Sequence, residues 1–220
     1  MMKRTYGQFC GVARALEVVG ERWALLIVRD LLVGPRRFTN LRRGLPKIPT
    51  NILAARLQEL EDAGVVRRRA LPRPASGVVY ELTAYGEELE PVILGLGRWG
   101  AQSLGMPREE EIVTADSMIM ALRTTFQPEA ARGMQASYEC HFGAVVINAR
   151  IIDGRLAVAA GPLPDADLVL TATGPINPLL TGALSPTEAI ERGLVRITGD
   201  PVWLERFVSV FRIGAGVEVG

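Results

Sequence analysis

Cysteine and histidine are scarce in this sequence, which has two cysteines and one histidine among 220 residues. Cys10 and Cys140 are far apart and form neither a CxxC motif nor a repeated spacing, so we expect no disulfide framework and no zinc site. HExxH, P-loop and calcium-loop motifs are missing, and the single His141 has no neighbours that indicate a catalytic triad. We therefore expect a non-enzyme without metal or cofactor, in a reducing compartment.

Long apolar segments are also missing. Lys3 and Arg4 are followed by polar residues rather than by the apolar core of a signal peptide. The longest uncharged stretch, 168–187, contains three prolines and four threonines, a composition that does not suit a membrane helix. The sequence predicts a cytoplasmic protein without membrane insertion.

The formal net charge is only +1, but the charges are unevenly distributed. Residues 1–105 contain 16 basic and 10 acidic side chains, whereas residues 106–220 contain 9 basic and 14 acidic ones. This asymmetry indicates a basic module joined to an acidic one, with a boundary near Met106. A basic module favours a polyanion such as DNA as its partner, because Lys and Arg release counterions from phosphates. A merely solvated basic face fits the charge count equally well.

Apolar residues in the first hundred positions recur at three- and four-residue steps, the period of amphipathic helices. The pattern predicts two short helices up to Gly34, a third from about Phe38 and a fourth over 50–63. Leu53, Leu57 and Leu60 form one apolar stripe of the fourth helix. Two strands are predicted over 65–70 and 77–82, around a proline-containing loop.

The third and fourth helices, joined by a short break, have the form of a helix-turn-helix, and the arginine-rich hairpin after them has the form of a wing. Polar side chains on the fourth helix suit base edges in the major groove, and the wing arginines suit phosphates or the minor groove. The predicted DNA-contacting residues are Arg36, Arg37, Thr39, Thr50, Asn51, Ala54, Ala55, Gln58, Arg67, Arg68, Arg69 and Arg73.

The segments ALEVVGERW at 15–23 and LIVRDL at 26–31 resemble the opening of HxlR-type winged helix-turn-helix regulators. Further matching segments are FTNL at 38–41, NIL at 51–53, AGVV at 63–66, YELT at 80–83 and WG at 99–100. The resemblance covers about 8–104. It implies a homodimeric DNA-binding transcription factor whose first and last helices in this domain form the dimer.

Cys10 occupies the position at which some members of that family sense oxidants or electrophiles. Arg14 could lower its pKa, whereas Phe9 and Val12 could bury it. We favour a structural cysteine, with a redox role as the alternative.

The segment GLGRWG at 95–100 matches the dinucleotide fingerprint GxGxxG, which taken alone suggests a nicotinamide-dependent enzyme. That fingerprint needs a buried strand before it and a long helix after it. Acidic residues precede the segment here, and Leu89, Val92, Ile93, Leu96 and Trp99 fit one helical stripe. We therefore interpret 84–104 as an amphipathic dimerisation helix.

Residues 106–111 are a predicted linker, and alternating apolar patterns follow. A helix is predicted over 115–126, strands over 137–142, 144–152, 155–160, 167–173 and 194–198, short helices over 175–181 and 187–191, and a last helix up to about 212. Asp153 and Gly154 are a strong hairpin-turn signal. The pattern indicates an α+β domain with a five-stranded sheet.

This order resembles the sterol-carrier-protein type of lipid-binding domain over most of 112–213. The residues that carry the resemblance include DGRL at 153–156, DADLVL at 165–170 and VRITGD at 195–200. The resemblance implies an apolar cavity for a hydrophobic small molecule. The candidate cavity residues are Met118, Leu122, Phe126, Phe142, Phe207 and Phe211, although such stripes also build ordinary interiors.

Two domains are therefore expected: a mainly α winged helix-turn-helix over 1–105 and an α+β, sterol-carrier-like domain over 106–220. The expected function is sequence-specific regulation of transcription on double-stranded DNA, controlled by a hydrophobic ligand in the second domain. The alternative is a regulator whose second domain is a ligand-free assembly module. The nicotinamide-dependent enzyme is a third hypothesis.

Overall fold

The computed structural model describes residues 5–104 and 108–214. The chain divides into two compact units, Met1–Ile93 and Leu94–Gly220. The domain boundary expected near Met106 and the start of the expected linker lie outside the described residues, so that boundary stays a prediction.

The first unit contains the four predicted helices and the predicted hairpin. Its elements are α1 (Gly11–Val19), α2 (Ala24–Val33), α3 (Phe38–Gly44), α4 (Thr50–Asp62), β1 (Val66–Ala70), β2 (Val78–Leu82) and α5 (Ala84–Glu87), and α6 (Glu90–Ala101) begins in it. Leu53, Leu57 and Leu60 are each at most 1% exposed, which confirms the predicted stripe of α4. They pack in one apolar core with Ile27 and Val28 of α2.

The wing is an antiparallel hairpin with a third, short partner. In its register Arg67 lies opposite Glu81, and Arg68 lies opposite Tyr80. The backbone of Arg36 exchanges two hydrogen bonds with that of Tyr80, at 2.9 and 2.8 Å. The segment between α2 and α3 is therefore fixed to the wing, and the wing is fixed to the helix-turn-helix.

The prediction of a single helix over 84–104 is wrong. The chain forms the short α5, turns at Glu88 and Leu89, and begins α6 at Glu90. Gly86 lets α5 approach the start of the wing closely, since a Cβ on it would lie 2.2 Å from the carbonyl oxygen of Val65. Pro91 favours a new start, because proline fits a helix's first turn, where its missing N–H costs no hydrogen bond.

The second unit is an α+β structure that confirms the predicted five-stranded sheet. Its elements after α6 are α7 (Ala115–Thr125), β3 (Gln135–Phe142), β4 (Val145–Ile152), β5 (Arg155–Ala160), β6 (Leu168–Ala172), α8 (Asn177–Thr181), α9 (Pro186–Glu191), β7 (Val195–Gly199) and α10 (Val202–Val210). The strand order is β5-β4-β3-β6-β7, in which only the β3–β6 pairing is parallel.

One face of this sheet forms the core of the second unit. Tyr138 and Cys140 of β3, Ile147 of β4 and Leu170 of β6 are all completely buried. The ring of Tyr138 meets that of Phe207 in α10 edge-on, with centroids 5.2 Å apart. In the described parts of the chain no helix is long and apolar enough to cross a membrane.

Candidate nucleic-acid interface

The start of α4 presents small and uncharged polar side chains to solvent. Thr50, Asn51, Ala54 and Ala55 are exposed, and Pro49 occupies the N-cap. The first turn of α4 contains no acidic residue. No carboxylate of that turn therefore neutralises its unpaired N–H groups or the positive end of its helix dipole. This arrangement suits the approach of an anion such as a phosphate group.

Arginines of α3 and of the segment before it flank this surface. The Arg37 guanidinium lies against the wing, because a Cβ on Gly77 would be 2.8 Å from its Nη1 atom. Arg42 in the last turn of α3 donates from Nη1 to the Thr50 hydroxyl at 3.4 Å. The sequence prediction missed Arg42, although its place one turn before the break could have indicated it.

The three consecutive wing arginines all contact carboxylates. Arg67 and Arg69 donate from Nε to the two oxygens of Glu81, at 2.8 and 2.7 Å. These contacts, first that with Arg69, hold the pKa of Glu81 below its usual range. Arg68 contacts Glu61 instead, at 2.7 Å from Nη2, and the contact raises the pKa of the Arg68 guanidinium.

Gln58, predicted to contact bases, is already hydrogen-bonded within the protein. Its Nε2 donates to Asp62 at 2.8 Å, and its Oε1 accepts from Arg68 at 3.4 Å. Both contacts lie toward the C-terminal end of α4, so Gln58 belongs to the helix–wing junction as well as to the exposed face. Arg73 extends into solvent at the tip of the wing.

The predicted DNA-contacting residues lie within one unit, and all but the half-buried Arg36 are exposed. The exposed members are Arg37, Thr39, Thr50, Asn51, Ala54, Ala55, Gln58, Arg67, Arg68, Arg69 and Arg73. None of these placements tests the DNA contacts themselves, so the assignment remains a prediction.

Cys10 is exposed, so Phe9 and Val12 do not bury it, and burial gives no support to the structural role that we favoured from the sequence. Phe9 itself is fully exposed, and Val12 is 68% exposed. Hydrogen bonds from the backbone N–H groups of Ala13 and Val12 lower the pKa of the Cys10 thiol. Cys140, by contrast, is buried in β3, and burial raises the pKa of its thiol to about 12.

The GxGxxG segment does not have the structure of a dinucleotide site. Residues 95–100 lie inside α6, and the preceding residues 91–94 belong to the same helix rather than to a strand. Gly97 packs against Thr124 of α7, where a Cβ would lie 2.9 Å from the threonine side chain. The glycine therefore permits a close approach of two helices, and the nicotinamide hypothesis loses its structural basis.

The candidate cavity residues in the second unit are mostly buried among one another. The rings of Phe126 and Phe211 lie 5.6 Å apart, and those of Phe207 and Phe211 lie 4.5 Å apart. Leu122 is also buried, whereas Met118 and Phe142 are half-buried. As placed, Phe126, Phe207 and Phe211 form an aromatic cluster in the interior.

A separate groove of about 1020 Å³ opens in the same unit, between α8, α9 and the end of α10. Its apolar walls are Leu179, Leu180, Leu184, Val208 and Ile213, and its polar lining includes Gln127, Glu129, Glu188 and Arg212. The sequence prediction missed this groove, because its walls come from short helices and loops without a distinct apolar period. Within the described residues no cluster of three or more metal-ligating side chains occurs.

The HxlR-like helix-turn-helix family matches residues 18–107 of this chain. YdeP of Bacillus subtilis (strain 168), an uncharacterized HTH-type transcriptional regulator, is 37% identical over 91 residues, which are 41% of this chain and 71% of that protein. YodB of the same organism, an HTH-type transcriptional regulator, is 38% identical over 88 residues, which are 40% of this chain and 79% of that protein. The solved structure of reduced YodB aligns with a TM-score of 0.39 at 35% identity, over 43% of this chain and 94% of that chain.

The family match ends at residue 107, so it concerns the helix-turn-helix and wing and not the sheet of the second unit. Within that region the order of elements is the one described above: helix-turn-helix, two-stranded wing and the helix that follows. YdeP and YodB are aligned over more than two thirds of their own length. Through residues 18–107, the chain belongs to the HxlR-like helix-turn-helix family of transcriptional regulators.

Proposed function

We propose that this protein is a sequence-specific transcriptional regulator that binds double-stranded DNA in the cytoplasm. One observation carries the proposal: the polar start of α4 is exposed, Arg42 of α3 contacts it at Thr50, and the arginines of the wing are exposed in the same unit. Thr50 and Asn51 can hydrogen-bond base edges when α4 enters the major groove. Arg37, Arg42 and Arg73 can contact phosphates on either side, which fixes the register of the helix.

We further propose that the regulator is a homodimer joined by exposed apolar faces of α1 and α6. Phe9, just before α1, and Val12 and Leu16 within it are at least 43% exposed, and Leu96 and Trp99 of α6 are 47% and 75% exposed. Apolar side chains exposed in rows along a helix indicate a contact surface. A second copy satisfies both rows, and a two-fold dimer places two α4 helices on half-sites about one DNA turn apart.

The dimer is tested by sedimentation of the full chain. Trp99→Arg and Leu16→Arg each place a charge in an apolar row, and we expect them to shift the protein to a monomer. Arg98→Ala, which changes an exposed residue next to Trp99, is the control and should remain dimeric. A monomeric unmodified protein at micromolar concentration would contradict the dimer.

For the second unit we propose a sterol-carrier-like domain that binds a hydrophobic small molecule. Its α+β topology and the groove walled by Leu179, Leu180 and Ile213 support this proposal. For the ligand to regulate, it must bind the DNA-competent and incompetent states with different affinities. The alternative is an assembly module that binds no ligand, and the filled aromatic cluster around Phe211 favours it.

Two experiments separate these proposals. Selection of DNA fragments with the full chain should yield an operator. Asn51→Ala should then reduce discrimination against altered operators by about tenfold or more, whereas Arg73→Ala should weaken binding to all sequences alike.

Denaturing extraction of the purified protein followed by mass spectrometry should release an apolar molecule. A ligand-free protein that still binds the operator would leave only the assembly module.

A further inference from the structure

The arginines of the wing alternate between two faces of β1. Side chains of successive strand residues point to opposite sides, so Arg67 and Arg69 share one face and Arg68 lies on the other. Glu81 lies directly opposite Arg67 in the hairpin register and diagonally opposite Arg69. Each of its two oxygens accepts from one arginine Nε, at 2.8 and 2.7 Å. One carboxylate therefore orders two guanidinium groups.

Both contacts with Glu81 use the Nε atom alone. A guanidinium has five N–H donors, and four of them belong to the terminal nitrogens. The side chains of Arg67 and Arg69 are 64% and 44% exposed, whereas that of Glu81 is only 12% exposed. The carboxylate thus lies beneath the two arginines and fixes their planes, while their terminal nitrogens remain available for an oxyanion in solvent.

Arg68 makes a different set of contacts, all with α4. Its Nε donates to both oxygens of Glu61, at 3.0 and 2.8 Å, and its Nη2 reaches the Gln58 oxygen at 3.4 Å. These contacts join the C-terminal half of α4 to β1. Arg68 therefore uses both Nε and a terminal nitrogen within the protein, unlike its two neighbours. Its side chain is 49% exposed, so the difference between the three arginines lies in the nitrogens engaged and not in burial.

We propose that Glu81 and Glu61 divide the three wing arginines into two roles, a division that rests on the proposed binding of DNA by this surface. Glu81 is a positioning residue that presents Arg67 and Arg69 together to backbone phosphates. Arg68 is a tie that sets the position of α4 against the wing and contacts no phosphate. The carboxylate of Glu81 also removes one positive charge from the wing, which limits binding to DNA of arbitrary sequence.

The salt dependence of DNA binding tests this division, because each phosphate contact contributes a slope of about −0.9 to the plot of log K against log salt. In the full chain on its selected operator, Arg67→Ala and Arg69→Ala should each reduce the magnitude of that slope by about 0.9, which corresponds to the loss of one phosphate contact. Arg68→Ala should leave the slope unchanged while it lowers operator affinity. An equal loss of slope for all three arginines would overturn the division.

Glu61→Gln covers the case in which Arg68→Ala does not fold. This substitution weakens the contact between Arg68 and α4 without removing the arginine. Arg68 should then be able to contact a phosphate, so the slope of log K against log salt should become steeper by up to about 0.9, the contribution of one contact. An unchanged slope and operator affinity for Glu61→Gln would overturn the role of Arg68 as a tie. Circular dichroism melting of each variant identifies those that fold.

Glu81→Gln tests the positioning role. We expect affinity for a scrambled duplex to rise about threefold or more and the ratio of operator to scrambled affinity to fall. Glu87→Gln removes the same charge from an exposed site on α5 and should leave the ratio unchanged. Equal ratios for Glu81→Gln and the unmodified chain would overturn the positioning role. If the unmodified chain binds no duplex, the proposed function itself fails.

Discussion

Gly97 in α6 approaches Thr124 in α7 so closely that a Cβ on the glycine would lie 2.9 Å from both the Cγ2 and the Oγ1 atoms of the threonine. Thr124 is 6% exposed and lies in the interior of the second unit. The contact therefore fixes how the part of α6 from Leu94 onward packs against α7 within the second unit.

We predict that Gly97→Ala destabilises the second unit by about 1–3 kcal/mol, because an added methyl group overpacks a tight contact. Gly95→Ala is the matched control, since a Cβ there meets nothing within 4 Å. It should be neutral or stabilise the helix by up to about 1 kcal/mol. Native-state hydrogen exchange of α7 measures both effects. Faster exchange in the control than in Gly97→Ala would show that the contact has no such role.

Tyr138 carries the next prediction. Its side chain is completely buried, and its hydroxyl has no hydrogen-bond partner in the described structure. Burial also raises the pKa of this hydroxyl well above its usual range. Because an unsatisfied buried hydroxyl costs about 1–3 kcal/mol, Tyr138→Phe should stabilise the unit by about 1 kcal/mol.

The exposed Tyr85 provides the control, and Tyr85→Phe should change stability by less than about 0.5 kcal/mol. Hydrogen exchange at increasing denaturant concentrations gives the comparison, measured at β3 for Tyr138→Phe and at β2 of the first unit for Tyr85→Phe. A loss of stability in Tyr138→Phe would mean that the hydroxyl has a partner in solution, such as an internal water or a bound molecule.

The two cysteines should differ in reactivity. Cys10 is exposed and its thiol pKa is lowered by backbone N–H groups, whereas the pKa of Cys140 is raised to about 12 by burial. Near pH 8 a disulfide reagent should therefore modify one thiol per native chain, and the second only after denaturation. Cys10→Ser should abolish the fast reaction. Two fast thiols, or none, would contradict the placement of these residues.

Glu139 gives the second unit an acid-sensitive contact. The backbone N–H of Leu163 and the ring of His141 hydrogen-bond its carboxylate and hold its pKa below the ordinary value of 4.5. A carboxyl group with a depressed folded-state pKa stabilises the fold above its unfolded pKa, and this stabilisation is lost as the pH falls through the folded pKa.

We predict that protonation of Glu139 contributes to the fall in the free energy of unfolding below about pH 4.5, the acid limb of the stability curve. Glu139→Gln should flatten that limb and lower stability at neutral pH. Hydrogen exchange of β3 between about pH 3 and 7 measures both. Glu129→Gln, which changes an exposed carboxylate on the same unit, is the control. Parallel curves for Glu139→Gln and the unmodified chain would show that the contact is not formed in solution.

The turns and helices that depend on neighbouring residues in the sequence could be predicted from it. Asp153 and Gly154 both adopt positive φ, 46° and 74°, as the two-residue turn between β4 and β5 requires, and Asp-Gly is the sequence that favours this turn. The stripe of α4 was likewise visible in its leucine spacing. The break between α5 and α6 was missed, although Pro91 in the first turn of α6 is a local signal for a new helix start.

The order of the strands and the details of the site depend on long-range contacts. The parallel pairing of β3 with β6 joins segments with two strands between them, and no local pattern specifies it. The strand predicted from the sequence already contains the three wing arginines. The position of Glu81 opposite Arg67, however, depends on the hairpin register. The strand bounds predicted from the sequence, 65–70 and 77–82, do not specify that register, because pairing their ends would place Arg67 opposite Tyr80. The difference between the wing arginines was therefore not visible in the sequence.

The most direct test of the central claim is a binding titration of the full chain against its selected operator and a scrambled duplex, from about 50 to 200 mM salt. The account predicts that the operator binds at least about a thousandfold more tightly at physiological salt and that affinity for both duplexes falls steeply as salt rises. Equal affinity for the two duplexes, or affinity that does not change with salt, would contradict it.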